Sequence, residues 1–147
     1  MTLNEKLLQK QTVNFLQINK ILQKSYKTLE TVKRSLSQDY DSSFALTYDS
    51  MLKTSLALML SRGYRPRVSL GHHRTLVDFA KQVLGPKFAG ITSTYSRMRK
   101  KRNKIIYDVN SVSRTEAEQA VKTAERYFKI VEDKISEDNP QQKLWKP

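Results

Sequence analysis

Arg102 is the residue whose type and position promise chemistry. Phe88, Ile91, Tyr95, Met98 and Ile105 recur at intervals of three and four, the spacing that lines one face of an α-helix, and Arg102 falls in the same row. A guanidinium on a core-facing row must be paired, hydrogen-bonded or open to a cleft, because stranding a charge in apolar surroundings costs more than a helix recovers. Asp49, midway along an earlier helical stretch, is the natural partner to hold that guanidinium in one orientation. Its other reading is an ordinary helix pair with Lys53, four residues on.

The charge around Arg102 is one-sided. The chain carries 27 Lys and Arg against 14 Asp and Glu, a formal charge of +13. Between Arg62 and Tyr107 stand twelve basic residues and the single acid Asp78, so nearly all of the excess lies in this stretch. Such a field attracts polyanions and speeds their encounter, and nucleic acid is the commonest intracellular polyanion. An acidic protein partner would meet the same field. Arg62, Arg65 and Arg67 around Pro66 are placed to touch phosphates, since a loop presents its side chains without a buried face. Arg97, Arg99, Lys100, Lys101 and Lys104 spread around a helix and cannot all face one ligand, so some of them are plain surface.

His72 and His73 invite a metal or proton-transfer reading. No carboxylate or cysteine stands beside them at ligand spacing, so no metal or other cofactor is expected there. Capping or packing near a helix start is the commoner fate of such a pair; a proton-carrying role in the basic cleft is the alternative.

The elements that must position these groups are helical. A hydrophobic share of 38%, four glycines and four prolines in 147 residues predict one compact all-α domain. A capping box at Thr2 and Glu5 predicts a first helix to about Ser37 with Leu8, Phe15, Ile18, Leu22, Leu29, Val32 and Leu36 inward and a break near residues 9–12. A second, central helix follows from about Ser42 to Arg62, capped by Asp41 or Ser42. Gly63 and Pro66 end it and open a basic loop to Leu70. A short helix spans His72–Leu84, and Gly85 and Pro86 punctuate before the helix of Lys87–Ile106 that carries Arg102. After a turn at residues 108–112, Ser113 and Glu116 form a capping box for a fifth helix with Ala117, Ala120, Val121, Ala124, Phe128, Val131 and Ile135 buried. No strand signal stands beside these periods. Residues 1–138 form the domain; 139–147 read as a flexible tail, with Trp145 free to dock on a neighbour.

The absence of cysteine excludes disulfides and thiolate metal sites and is consistent with a reducing compartment. The longest apolar run, Leu56–Leu60, is too short to span a bilayer, and residues 1–11 lack a signal-peptide core. The expectation is a soluble, cytoplasmic protein without membrane contact.

The segment RNKIIYD, an Arg-Asn pair followed by three residues and an aromatic, resembles the motif of the HEPN superfamily, an Arg, often followed by Asn, then four to six residues and a His. The stretch FALTYDSMLKTSLALMLSRGYRPR followed by GHHRTLVDFA is similar to the tyrosine-bearing helix, basic turn and next helix of bacterial members, so the resemblance runs from about Phe15 to Ile135. It implies a five-helix, up-and-down type bundle that pairs with a second copy, bringing two motifs into one basic cleft. It also implies RNA as ligand and, in active members, metal-independent endoribonuclease activity in toxin–antitoxin or phage-defence systems, with an antitoxin such as a nucleotidyltransferase as partner. Other members only bind RNA, nucleotides or partner proteins. Carried over by position, Arg102 takes the phosphate-binding role and Asn103 that of its companion, while Tyr107 stands where the proton-moving His belongs. An unperturbed phenol, with a pKa of about 10, is a poor base near neutral pH, although it can donate a proton, bind a phosphate or stack on a base. Tyr107 can equally close the core at the helix end.

Overall fold

The computed structural model describes residues 5–67, 72–107, 109 and 111–147. Five helices build the bundle: α1 (Phe15–Ser35), α2 (Tyr40–Ser61), α3 (His72–Leu84), α4 (Ala89–Tyr107) and α5 (Arg114–Asp138). α2 is the axle, packing against the other four. Most of its residues are buried, including Phe44, Tyr48, Met51, Leu52, Leu58 and Met59.

Short hydroxyl side chains let the neighbours approach α2 closely. Ser25 on α1 donates to the Ser50 carbonyl at 2.8 Å and meets Thr54 Oγ1 at 2.7 Å. On the opposite face Ser55 donates its one proton to the Met51 carbonyl at 2.9 Å. Tyr95 of α4 and Tyr127 of α5, whose hydroxyls lie 2.8 and 2.6 Å from Ser55 Oγ, must therefore be the donors to its two lone pairs. Burial pushes both phenols above the ordinary tyrosine range, which keeps them protonated for that role.

The termini of the elements follow local rules, with two departures from the sequence expectation. α2 starts earlier than expected: Asp39, not Asp41 or Ser42, is its N-cap, accepting from the Ser42 backbone N–H at 3.0 Å and the Ser42 hydroxyl at 2.8 Å. These bonds, the backbone one foremost, hold the Asp39 carboxyl below its usual value. Asp41 is thereby released to accept from the Val112 N–H at 2.6 Å, tying the start of α2 to the approach to α5. The second departure concerns the N-terminal segment. It does not begin α1, but forms a 3₁₀ turn at Glu5–Leu7 and a strand β1 (Leu8–Lys10), which pairs antiparallel with β2 (Tyr64–Pro66) in the register Leu8 to Pro66 and Lys10 to Tyr64. Buried Leu8 still reaches the core, but through this ribbon. α1 then starts where Asn14 caps it by accepting from the Gln17 N–H. Thr2 of the expected capping box lies outside the described residues, as do parts of the expected loop to Leu70 and turn at 108–112. Gly63 and Gly85 adopt the positive φ of 84° and 77° that end α2 and α3 and that a side chain would strain.

α5 has the anticipated capping box, with both the Ser113 and Glu116 side chains engaged, and every residue of its expected stripe is buried. Tyr127 and Glu132, which the apolar period passed over, are buried too. The expected frayed tail instead lies on α1. Leu144 enters the core, the Trp145 N–H donates to Asn19 Oδ1 at 2.7 Å, and the Trp145 ring stands edge-on to Tyr26 at 5.4 Å. Trp145 thus docks within its own chain, because α1 offers an amide side chain and an aromatic face that a reading of the tail alone does not reveal.

Two outcomes follow in urea unfolding. Ser55→Ala removes the acceptor of two buried phenols and is expected to destabilise the protein by about 2–4 kcal/mol, more than Tyr95→Phe, which removes one donor and should cost about 1 kcal/mol. Leu144→Ala should cost about 2–3 kcal/mol; a change near zero would show that the tail does not hold α1 in solution.

Candidate functional site

α4 presents its row as expected: Ile91, Tyr95 and Met98 are buried, Phe88 and Ile105 pack partly against the core, and Arg102 is half-buried. The Arg102 Nε–H is inaccessible to solvent and has no hydrogen-bond partner among the described residues. Leaving such a donor unmatched costs about 1–3 kcal/mol, more for a charged group. The same holds for Tyr48 on α2, whose ring is 0% exposed and whose hydroxyl is also unpartnered.

These two unmatched groups belong to one cluster built by three helices. The Tyr48 ring lies 5.9 Å from the His73 ring of α3, and His72 stands edge-on to His73 at 4.7 Å. Burial raises the Tyr48 phenol far above its usual value, against the opposing pull of Arg99 and Arg102 and with a small push from Asp49. Burial likewise lowers the His73 imidazole, helped by His72, Arg102 and Arg99 and opposed by Asp49. The site thus comprises Tyr48, Asp49, His72, His73, Arg99 and Arg102: two guanidiniums, one carboxylate, and an imidazole held neutral. Asp49 is half-buried and within electrostatic reach of His73, yet among the described residues it forms no ion pair with Arg102 or Lys53. An arrangement of unmatched donors beside uncompensated guanidiniums is suited to an anion.

The other residues singled out in the sequence divide into three groups. Asn103, Lys100 and Lys104 are exposed, and Tyr107 is 87% exposed. Tyr107 stands five residues beyond Arg102 at the end of α4, about 140° around an ideal helix from it. Arg97 and Lys101 face α5, lining a cleft with Thr94, Gln119 and Thr123; Arg97 donates to Thr94 Oγ1 at 3.0 Å, and Lys101 pairs with Glu116 at 3.5 Å. Around the expected basic loop, Arg65 is exposed on β2, while Arg62 and Arg67 are engaged in the fold. Arg62 pairs with Asp138 at 2.6 Å, and the Arg67 Nε–H donates to the Leu8 carbonyl at 3.1 Å.

Tyr48 is a site residue that the sequence analysis does not single out. Its signal was present in its type: a phenol deep in a bundle needs a partner for its hydroxyl, and next to Asp49 on the central helix that partner is sought at a site. Among the described residues no group of three His, Asp or Glu side chains is arranged to hold a metal ion, and no helix is long and apolar enough to cross a membrane.

No curated protein and no solved structure matches the chain. Residues 18–134, which hold all five helices apart from the ends of α1 and α5 and include the entire site, match the family model described as the HEPN domain. A match over this much of the chain, on a five-helix bundle with its arginine-bearing helix in place, shows that the protein belongs to the HEPN domain family.

Proposed function

We propose that this protein binds single-stranded RNA, with one backbone phosphate seated against Arg102 and Arg99 and the flanking strand running over the exposed cations Lys100 and Lys104. One observation carries the reading: among the described residues the Arg102 Nε–H and the Tyr48 hydroxyl are buried without partners, and Arg99 and Arg102 form no ion pair. A phosphate supplies the acceptors and the negative charge that both lack, and the ribose 2′-hydroxyl is the group that separates RNA from DNA at such a site. Family membership adds weight to the choice of RNA, and metal-independent endoribonuclease activity in a toxin–antitoxin or phage-defence setting is the finer form of the proposal.

A second copy of the chain completes this picture. Tyr107 at 87% and Val109 at 100% exposure leave an aromatic and an aliphatic side chain in water at the end of α4. Pairing of two such ends buries them and brings the Tyr107 and Asn103 of two copies together. An acidic antitoxin, such as a nucleotidyltransferase, is the heterologous partner that the basic face would accept. The alternative is a noncatalytic binding module, favoured by Tyr107, an 87% exposed phenol, standing where the motif has its histidine.

Fluorescence anisotropy with a labelled oligoribonucleotide tests the reading. Arg102→Ala is expected to weaken binding about tenfold to a hundredfold, the value of a charge-assisted contact, and to reduce the salt slope by about 0.7. Arg102→Lys should recover only part, because an ammonium lacks the planar fork. Unchanged affinity in Arg102→Ala removes the cleft from the account. By light scattering the native chain should weigh two copies and Tyr107→Asp one; a monomeric native chain rejects the pairing.

A further inference from the structure

We propose that the furrow between α4 and α5 is a docking groove for an acidic, amphipathic helix of a partner protein. The inference is independent of the RNA-binding reading above, because no residue lining the furrow belongs to the cluster around Arg102.

The furrow exists because α4 and α5 both pack on α2 and meet each other only in part. Two cavities of about 320 and 360 Å³ lie end to end along it, both bounded by Thr94 and Thr123. Lys101 pairs with Glu116 at one end and Lys87 shares a cavity with Arg126 at the other, so the two helices run antiparallel. From Gly90 to Lys101 on α4, and from Thr115 to Arg126 on α5, the helical rise gives about 17 Å of groove. That length takes three turns of an incoming helix, about twelve residues.

The groove has an apolar floor and basic rims. Ile91, Met98, Phe44 and Ala120, all buried, close it from below. Short side chains at Thr94, Thr115 and Thr123 let another helix come near, and a Cβ added at Gly90 would meet nothing within 4 Å. Lys87, in the turn before α4, and Arg97 stand on one rim, Lys122 and Arg126 on the other. All four are exposed, and none forms an ion pair among the described residues. The acids of this stretch of α5 are already engaged. Glu116 is taken by Lys101 and by its own capping box, Glu118 by Arg114 at 2.6 Å, and Glu125 by Lys33 at 3.0 Å.

That combination selects the occupant. An apolar floor flanked by cations on both sides is complementary to a helix with apolar residues at intervals of three and four and with Asp or Glu on its two flanks. RNA is served less well, because its bases need an open aromatic face to stack on. Phe44 is only 5% exposed, and the Lys87 ammonium lies over the Phe88 ring at 5.5 Å. A second copy of this chain, with its formal charge of +13, brings cations to rims that call for acids.

The experiment uses the full chain and fluorescence anisotropy with four labelled probes. These are a synthetic peptide of about twelve residues with leucines at helical spacing and glutamates on both flanks, the same composition scrambled, a version with lysine for glutamate, and a single-stranded oligoribonucleotide. The patterned acidic peptide is expected to bind about tenfold or more tighter than either control peptide. Lys122→Glu combined with Arg126→Glu, at two exposed positions without ion pairs, should weaken it about tenfold or more. Gly90→Trp, which fills one end of the furrow, should weaken it as well, while Arg102→Ala, outside the furrow, should leave it within about twofold. Equal binding of the scrambled peptide, or native affinity in both furrow variants, overturns the proposal. So does a loss of RNA binding in Lys122→Glu with Arg126→Glu that leaves the peptide untouched, which would make the furrow a nucleic-acid track. A native dimer that Gly90→Trp splits would give the furrow to a second copy and overturns it too. Failure of the peptide to bind leaves the RNA-binding reading standing, since that reading fails only through Arg102→Ala and the oligoribonucleotide.

Discussion

The bundle depends on one serine hydroxyl. Ser55 spends its proton on the backbone of α2 and accepts from Tyr95 and Tyr127, so a single oxygen fixes where α4 and α5 lie against the central helix. The node is buried, and a displaced phenol would lose its acceptor with no water to replace it, which makes the arrangement stiff. Arg102 is seven residues beyond Tyr95, about 10 Å along the same helix. The depth and direction of its guanidinium are therefore consequences of that anchor, as is the contact between Tyr48 and Tyr95 that carries the order of the node into the cleft.

Around this frame the charges sort by whether α5 reaches them. α5 carries most of the acids of the C-terminal half, and these take Arg62, Lys101 and Lys33 from neighbouring elements as well as Arg114, Lys129 and Lys134 of its own. On the flank of α4 that carries Arg99 and Arg102, neither arginine forms an ion pair among the described residues. Arg99 and Arg102 lie within electrostatic reach of His73, the Tyr48 phenol and the carboxylate of Asp49, and among the described residues Asp49 forms no ion pair with either arginine. The positive character of the chain is thus made local by the fold: ion pairs engage many of the cations along α5, while Arg99 and Arg102, half-buried on α4, are left without an ion pair among the described residues. The functional reading rests on this asymmetry more than on the total charge.

The helical periods carried most of the architecture. The stripe of α5, the inward residues Ile18, Leu22, Leu29 and Val32 of α1, the capping box at Ser113 and Glu116, and the breaks at Gly63 and Gly85 are all local features, decided by residues within a few positions of one another, and each is found in place. The ribbon of β1 and β2 was not legible, because three-residue strands joined across more than fifty positions leave no period and exist only once α1 and α2 have brought their ends together. The tail was illegible for the same reason: its partners Asn19 and Tyr26 lie on the first helix, not in the neighbouring sequence. At the site, the row of α4 singled out Arg102 correctly as a half-buried guanidinium, whereas the grouping of Arg62, Arg65 and Arg67 into one set of contacts separated once two of the three met partners.

By itself the sequence determined an all-α bundle with a central second helix, an arginine on an inward row and a concentration of cations in the middle of the chain. Those properties follow from side-chain type and spacing along single helices. Tertiary structure alone decided that Tyr48 of α2 meets His73 of α3 within electrostatic reach of Arg102 of α4, and that Tyr107 is left exposed. Proximity between helices is set by how their faces interlock at the Ser55 node, and an inter-helix contact has no image in the order of residues along any one of them.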